Sequence, residues 1–143
     1  MTVLVDTDIL IEVSRGRNSD ILREWTRLGS SENTVIYSPV TAAELWAGVR
    51  APEEPALSGL LAALLCIAID VNVGRRAGDY LRRFAKSHAV ELGDALIAAT
   101  AVLHGAALWT RNRKHYPMKD LLFYSINAEI MPCRRAAIAQ SAE

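Results

Sequence analysis

Cysteine is scarce: the chain holds two, Cys66 and Cys133, well separated. Neither belongs to a CxxC pair, which argues against a zinc site built on thiolates. Cys66 lies in an apolar run and is expected to pack as a small hydrophobe. Net charge is missing as well, because 16 Lys plus Arg balance 16 Asp plus Glu. A field over the whole molecule that gathers any polyanion is therefore not expected, although a balanced total still leaves room for a local basic patch. The start, MTVLVD, lacks the basic segment and long apolar stretch of a secretory signal. The apolar stretch from Ala56 to Ile69 is short for a membrane span, and Asp70 closes it. There is no internal repeat and no low-complexity segment. These absences lead to the expectation of a cytoplasmic protein with no membrane contact.

What is present is enough for one core. The 143 residues are 51% apolar, and a chain of this size buries roughly 70% of its unfolded surface. A single domain over residues 1–143 is expected, with no room for a second. Val3-Leu4-Val5 reads as a buried strand. Asp8 to Val13 either continues it or begins a helix. Asn18-Ser19-Asp20 introduces a helix with Ile21, Leu22, Trp25 and Leu28 on one face, and Gly29 to Asn33 forms a loop. Val35-Ile36-Tyr37 is a second strand, ended by Ser38-Pro39. Thr41-Ala42-Ala43-Glu44 has the spacing of a capping box and predicts a helix start there. Pro52 and Pro55 break the chain before a leucine stripe at 57, 60, 61, 64 and 65. Ile67-Ala68-Ile69 is expected as a third strand. Val71 to Ser87 is amphipathic, with Arg75, Arg76, Arg82 and Arg83 outward. Asp94 to His104 is a nearly all-apolar, alanine-rich helix that Gly105 stops. Ala107 to Thr110 is a fourth strand, Leu121 to Tyr124 a candidate fifth, and a helix is expected beyond Arg134. Strands alternating with helical runs of this length predict an α/β domain with a mostly parallel sheet of four to five strands.

In an open parallel sheet, ligands bind beyond the carboxyl ends of the strands. Asp6 directly follows the first strand, with Thr7 and Asp8 after it. Glu44 lies in the first turn of the helix after the second strand. Asp94 opens the central apolar helix, and Thr110, Arg111 and Asn112 follow the fourth strand. Each acid alone has a structural explanation: Asp6 as a turn cap, Glu44 as the partner of Thr41, Asp94 as a first-turn acid favoured by the helix dipole. Meeting at one edge, they would repel one another and call for a cation. Donors that are all oxygen suit Mg²⁺ or Mn²⁺ rather than zinc, and such an ion polarises a phosphate and orients an attacking water. The segment LWTRNRKHYP, Leu108 to Pro117, then places Arg111, Arg113, Lys114 and His115 as candidate phosphate contacts on the same rim.

Taken in order, VLVDTDILIE (Val3 to Glu12), SPVTAAELWAGV (Ser38 to Val49) and VELGDALIAATAVLHGAALWTRNRKHYP (Val90 to Pro117) resemble a PIN-domain ribonuclease, specifically the VapC-type toxin of VapBC toxin–antitoxin pairs. The resemblance covers nearly the whole chain. It implies a three-layer, Rossmann-like α/β/α fold and a Mg²⁺- or Mn²⁺-dependent endoribonuclease that cleaves structured RNA, tRNA or rRNA, and so inhibits translation. Asp6, Glu44 and Asp94 would hold the metal, with Asp8 contributing through water. Glu44 would also help to deprotonate the attacking water, and Thr110 and Asn112 would hydrogen-bond to metal-bound water or to the scissile phosphate. Water, not the 2′-hydroxyl, would be the nucleophile, leaving a 5′-phosphate. Many members carry a fourth acid at the position of Asn112 or three residues later, where this chain has Asn112 and His115. Implied partners are a VapB-type antitoxin, a second copy in a homodimer, and a higher toxin–antitoxin assembly, with Trp25, Leu45, Trp46 and Tyr80 as candidate contacts. Alternatives are a metal-dependent phosphatase, a flap nuclease, and a degenerate PIN domain that only binds RNA or protein. The missing fourth acid favours the last; intact Asp6, Glu44 and Asp94 oppose it.

Overall fold

The computed structural model describes residues 1–126. Five short strands form one sheet in the order β3-β2-β1-β4-β5, and every neighbouring pair is parallel. They are β1 (Thr2–Val5), β2 (Thr34–Tyr37), β3 (Leu65–Cys66), β4 (Ala107–Trp109) and β5 (Leu122–Phe123). The helices are α1 (Thr7–Arg15), α2 (Ser19–Gly29), α3 (Pro39–Gly48), α4 (Glu54–Ala62), α5 (Val71–His88) and α6 (Leu92–Leu103). Successive strand residues point to opposite faces, and two cores result. Leu4, Ile36 and Leu108 pack against α5 and α6. Val3, Val5, Tyr37 and Trp109 pack against α1 to α4. This is the expected three-layer α/β/α arrangement. The chain winds outward from β1 in one direction through β2 and β3, then in the other through β4 and β5. The order therefore reverses between β1 and β4, which is where such folds leave a crevice.

Local chemistry sets the helix ends. Asp6 caps α1, and Gly16, at φ +66°, ends it in the left-handed region that glycine enters freely. Asn18 caps α2 through the Ile21 N–H, and Asp70 caps α5 through the Val73 N–H. Asp8 to Val13 thus begins a helix rather than extending β1.

The structure corrects several boundaries. Helix α3 starts at Pro39, not Thr41, because fully buried Ser38 takes the cap, accepting the Val40 N–H at 3.1 Å, and proline suits the first turn. The Thr41–Glu44 capping box is therefore not used. The third strand is Leu65–Cys66, pairing with Ile36 and Tyr37; Ile67 adds one N–H bond to the Tyr37 carbonyl at 3.0 Å, and the chain then leaves the sheet. Leu65 consequently leaves the helical stripe. Cys66 is exposed instead of packed, because its strand is an outer edge of the sheet. Helix α6 begins two residues early, at Leu92, so Asp94 sits inside its first turn. Leu45 and Tyr80 belong to the core and are unavailable to a partner, whereas Trp46 is 43% exposed. Cys133 and the helix expected beyond Arg134 lie outside the described residues. Among those residues no helix is long and apolar enough to cross a membrane.

Position within the sheet should decide the cost of truncation. Leu4 in the central strand is fully buried, so Leu4→Ala is expected to lower unfolding free energy by about 2–5 kcal/mol. Leu65 on the edge is 55% exposed, and Leu65→Ala should stay within about 0.5 kcal/mol of the parent. Urea unfolding curves of the two variants check this; similar losses would contradict the topology.

Candidate metal centre

The site begins where the strand order reverses. The backbone N–H of Asp6 donates to the Trp109 carbonyl at 3.0 Å, extending the β1–β4 ladder by one step. The side chain of Asp6, only 7% exposed, is then held from three directions. Its Oδ1 accepts the Thr7 N–H at 2.8 Å. Its Oδ2 accepts the Thr110 hydroxyl at 2.8 Å and the Tyr116 hydroxyl at 2.9 Å. Asp8 ties the same two loops from the other side, its Oδ2 accepting the Arg111 N–H at 2.8 Å and its Oδ1 the Ile9 N–H at 2.8 Å. Thr7 and Thr41 join through their buried hydroxyls at 3.1 Å, which draws α3 toward α1.

Glu44 and Asp94 enter from α3 and α6. A Cβ at Gly93 would lie 3.3 Å from Val40 Cγ1 and 4.0 Å from Glu44 Oε1. The missing side chain thus allows the first turn of α6 to approach α3 and brings Glu44 close to the turn that carries Asp94. Asp94 Oδ2 accepts the Glu91 N–H at 3.2 Å, the reciprocal half of a capping box.

The carboxylates sense one another. Burial raises the Glu44 carboxyl above its ordinary value, and the charge of Asp6 raises it further; Asp94 and Asp8 add to this while the Thr7 side chain opposes it. Asp94 is raised by burial, against the Glu91 N–H and the charge of His115, with Asp6 again pushing upward. Asp8 is raised by burial and then by Asp6, against the N–H groups of Arg111 and Ile9 and the charge of Arg111. Among the described residues, no Lys or Arg forms an ion pair with Asp6, Glu44 or Asp94. An all-oxygen set of mutually repelling carboxylates with no Lys or Arg paired to Asp6, Glu44 or Asp94 among the described residues suits a hard divalent ion. No three His, Cys, Asp or Glu side chains among the described residues converge closely enough to hold one ion directly. Mg²⁺ accommodates this, because it retains several waters and takes only one or two carboxylates.

The rim is more varied than its charges suggest. Arg113–His115 form a single 3-10 turn. The guanidinium of Arg111 stands 3.2 Å from the Glu12 carboxylate of α1. That of Arg113 donates to Ser125 at 2.5 Å and lies over the Phe123 ring. Both arginines are thus held by the protein itself, while Lys114 and His115 are exposed and His115 lies near enough to Asp94 to favour its charge. Asn112 is exposed, and its backbone N–H donates to Thr110 Oγ1 at 3.0 Å. The one proton of the Thr110 hydroxyl goes to Asp6, so Thr110 orients Asp6 and has no proton to give to a phosphate or a water. Sequence reasoning passed over Tyr116, because an aromatic between His115 and Pro117 reads as packing and nothing in the letters signals its hydroxyl partner. A separate groove of 610 Å³, lined by Arg75, Arg76, Arg82, Asp79 and His104, opens at the other end of the α5–α6 pair and contains none of these site residues.

Comparison with known proteins bears on the same stretch of chain. The family model for the PIN domain matches residues 3–121. Ribonuclease VapC10 of Mycobacterium tuberculosis is 38% identical over 121 residues, spanning 84% of this chain and 90% of that protein. A toxin–antitoxin complex from Klebsiella pneumoniae has a chain that superposes with a TM-score of 0.69 at 25% identity, covering 87% of this chain and 99% of that one. VapBC2 from Rickettsia felis, solved bound to a DNA fragment from their promoter, gives 0.74 at 22% identity, covering 87% of this chain and 98% of that one; at that identity the likeness is one of fold.

A raised carboxyl in the folded state binds its proton more tightly than in the unfolded chain. It therefore favours folding below the ordinary carboxylate range, and the advantage is lost as pH rises through the raised value. In metal-free protein at pH 7, Glu44→Gln should remove repulsion and raise Tm slightly, by about 1–3 °C given how exposed and screened Glu44 is. At pH 4 the gain should vanish. Thermal melts in EDTA at the two pH values check this, and a lower Tm at pH 7 would contradict mutual repulsion.

Proposed function

The chain belongs to the PIN-domain family, and from that premise we propose that it is a divalent-metal-dependent endoribonuclease, the toxin of a VapBC-type pair. The observation that carries this reading is the group of carboxylates at the β1–β4 crevice, raised by burial and by one another's charge, with no Lys or Arg ion-paired to Asp6, Glu44 or Asp94 among the described residues. Asp6, Glu44 and Asp94 would hold Mg²⁺ or Mn²⁺, directly or through its waters, with Asp8 acting through water. The ion would supply charge neutralisation and polarisation of the phosphodiester.

The chain's own groups would do the remaining work. Asp6 is fixed by three donors before any ligand arrives, which removes the cost of reorienting it. Glu44 is exposed and holds a proton more readily than an ordinary glutamate, which suits it to accept one from an attacking water. Attack by water on phosphorus breaks the bond to the 3′ oxygen, so the products carry a 5′-phosphate and a 3′-hydroxyl. Lys114, His115 and the Asn112 amide would contact flanking phosphates, and Arg111 and Arg113 would join them only by leaving Glu12 and Ser125. The substrate would be a structured RNA, tRNA or rRNA, whose loss stops translation. A VapB-type antitoxin and a second copy of the chain are the proposed partners, with a higher assembly of the pair. Trp46 is the most exposed of the aromatic side chains considered for such contacts.

The second reading is a PIN domain that binds without cutting, and Asn112 and His115 in place of an acid favour it. Against it stands the price in repulsion: an unneutralised acidic cluster drives phosphate away when no metal is bound.

Purified protein, free of any partner, should be incubated with total bacterial RNA in Mg²⁺, in Mn²⁺ and in EDTA, beside Asp94→Asn, with new 5′ ends mapped by sequencing. A few discrete cuts are expected, abolished by EDTA and reduced more than about 100-fold in the variant. No metal-dependent cut by folded protein would overturn the nuclease reading and leave the binding module.

A further inference from the structure

We propose that Tyr116 is a positioning residue whose hydroxyl aims the Asp6 carboxylate and hangs the basic turn on it, making the acidic pocket and the phosphate rim one mechanical unit. The inference rests on the reading of the pocket as a metal site. A carboxylate has about four lone-pair positions. Thr7 occupies one on Oδ1, and Thr110 and Tyr116 occupy two on Oδ2. One remains, on Oδ1. Asp6 is thus left with a single acceptor position for a cation or its water, and the Tyr116 hydroxyl helps decide where that position points.

The same oxygen carries the turn. At one end of Arg113–His115, the Asn112 N–H donates to Thr110 Oγ1, which itself donates to Asp6 Oδ2. At the other end, Tyr116 is the residue that closes the turn, and its hydroxyl reaches the same Oδ2. Arg113, Lys114 and His115 therefore hang between two attachments to one carboxylate oxygen. Tyr116 is 3% exposed. Burial and the charge of Asp6 push its phenol far above the ordinary value, so the proton stays in place as a donor.

Two other buried tyrosines also donate to carboxylates: Tyr124 to Glu24 and Tyr80 to Asp120. Those acids lie away from the pocket, so they provide a matched control. Ring and exposure are alike, and the oriented acids differ in place and in that Glu24 and Asp120 each also pair with an arginine, Arg27 and Arg76.

The test measures manganese binding directly, by loss of the free Mn²⁺ EPR signal during titration of the unmutated protein, Tyr116→Phe and Tyr124→Phe. Tyr116→Phe is expected to weaken binding about 10-fold, the usual scale for losing a group that orients a ligand. Tyr124→Phe should leave binding unchanged although it too loses a buried hydroxyl. With short RNA cut at the rim, KM should rise in Tyr116→Phe and stay constant in Tyr124→Phe. Equal Mn²⁺ binding by Tyr116→Phe and the unmutated protein overturns the proposal, as does equal weakening in both variants. Should Tyr116→Phe fail to fold, the Tyr116 hydroxyl proton of the unmutated protein can be followed by NMR: it should shift as Mg²⁺ is added, and a resonance that stays put overturns the inference. If the unmutated protein binds no Mn²⁺, the metal-site reading itself falls, an outcome distinct from the failure of Tyr116 alone.

Discussion

Parallel pairing of β1 with β4 is the constraint on which the rest of the structure depends. The two strands are wholly apolar in register, Val3, Leu4 and Val5 against Ala107, Leu108 and Trp109, and they end together. The next residue on each, Asp6 and Thr110, then meets its counterpart at 2.8 Å with no freedom to do otherwise. A polar pair at the end of an apolar ladder is buried because the ladder is, and it is satisfied because Thr110, the Thr7 N–H and the Tyr116 hydroxyl all donate to Asp6. From that pair the remaining contacts follow: Asp6 caps α1 by accepting the Thr7 N–H, the Thr7 hydroxyl reaches Thr41, and the Arg111 N–H closes onto Asp8.

The layers on either side act as fixed walls. Helix α6 presents Ala95, Ala98, Ala99 and Ala101, all fully buried, and small side chains let it lie close to α5 and the sheet. Closeness gives Asp94 a rigid base. Gly93 extends the same economy of volume to the α3 side, where even one added carbon would press on Val40. The outcome is repulsion built into a well-packed frame. Three carboxyls are raised by burial and by one another, with only partial relief from Arg111 at Asp8 and His115 at Asp94, and the stability sacrificed there is supplied by two cores that have no polar defect among the described residues.

Much of this was legible in the letters because its signals are local. Unbroken apolar runs marked β1 and β2, and alternation with helical periods marked a parallel sheet. Asp6, Glu44 and Asp94 stood out by falling just beyond strands or at helix starts. What was not legible depends on competition or on distance. Thr41 carried the capping-box spacing, yet Ser38 caps α3; both are fully buried, and what decides is the Val40 N–H on the Ser38 hydroxyl, with Pro39 suited to the first turn. Ile67 to Ile69 is as apolar as a strand, but the partner register ends at Cys66. Arg111 looked free because Glu12 is far away in sequence, and Arg113 because the turn that carries it back to Ser125, 12 positions on, has no periodicity. Tyr116 lies 110 positions from Asp6, and no periodicity reports a contact of that kind.

The sheet is finished by strands of two residues at each side, β3 and β5. So short a ladder offers almost nothing for another backbone to zip onto, which is how natural sheets resist lateral growth into aggregates. Neighbours are thereby steered away from the sheet margin and toward the helical faces. In a molecule whose opposing charges cancel in number, lateral growth of the sheet is limited by geometry, and the helical faces stay open to partners.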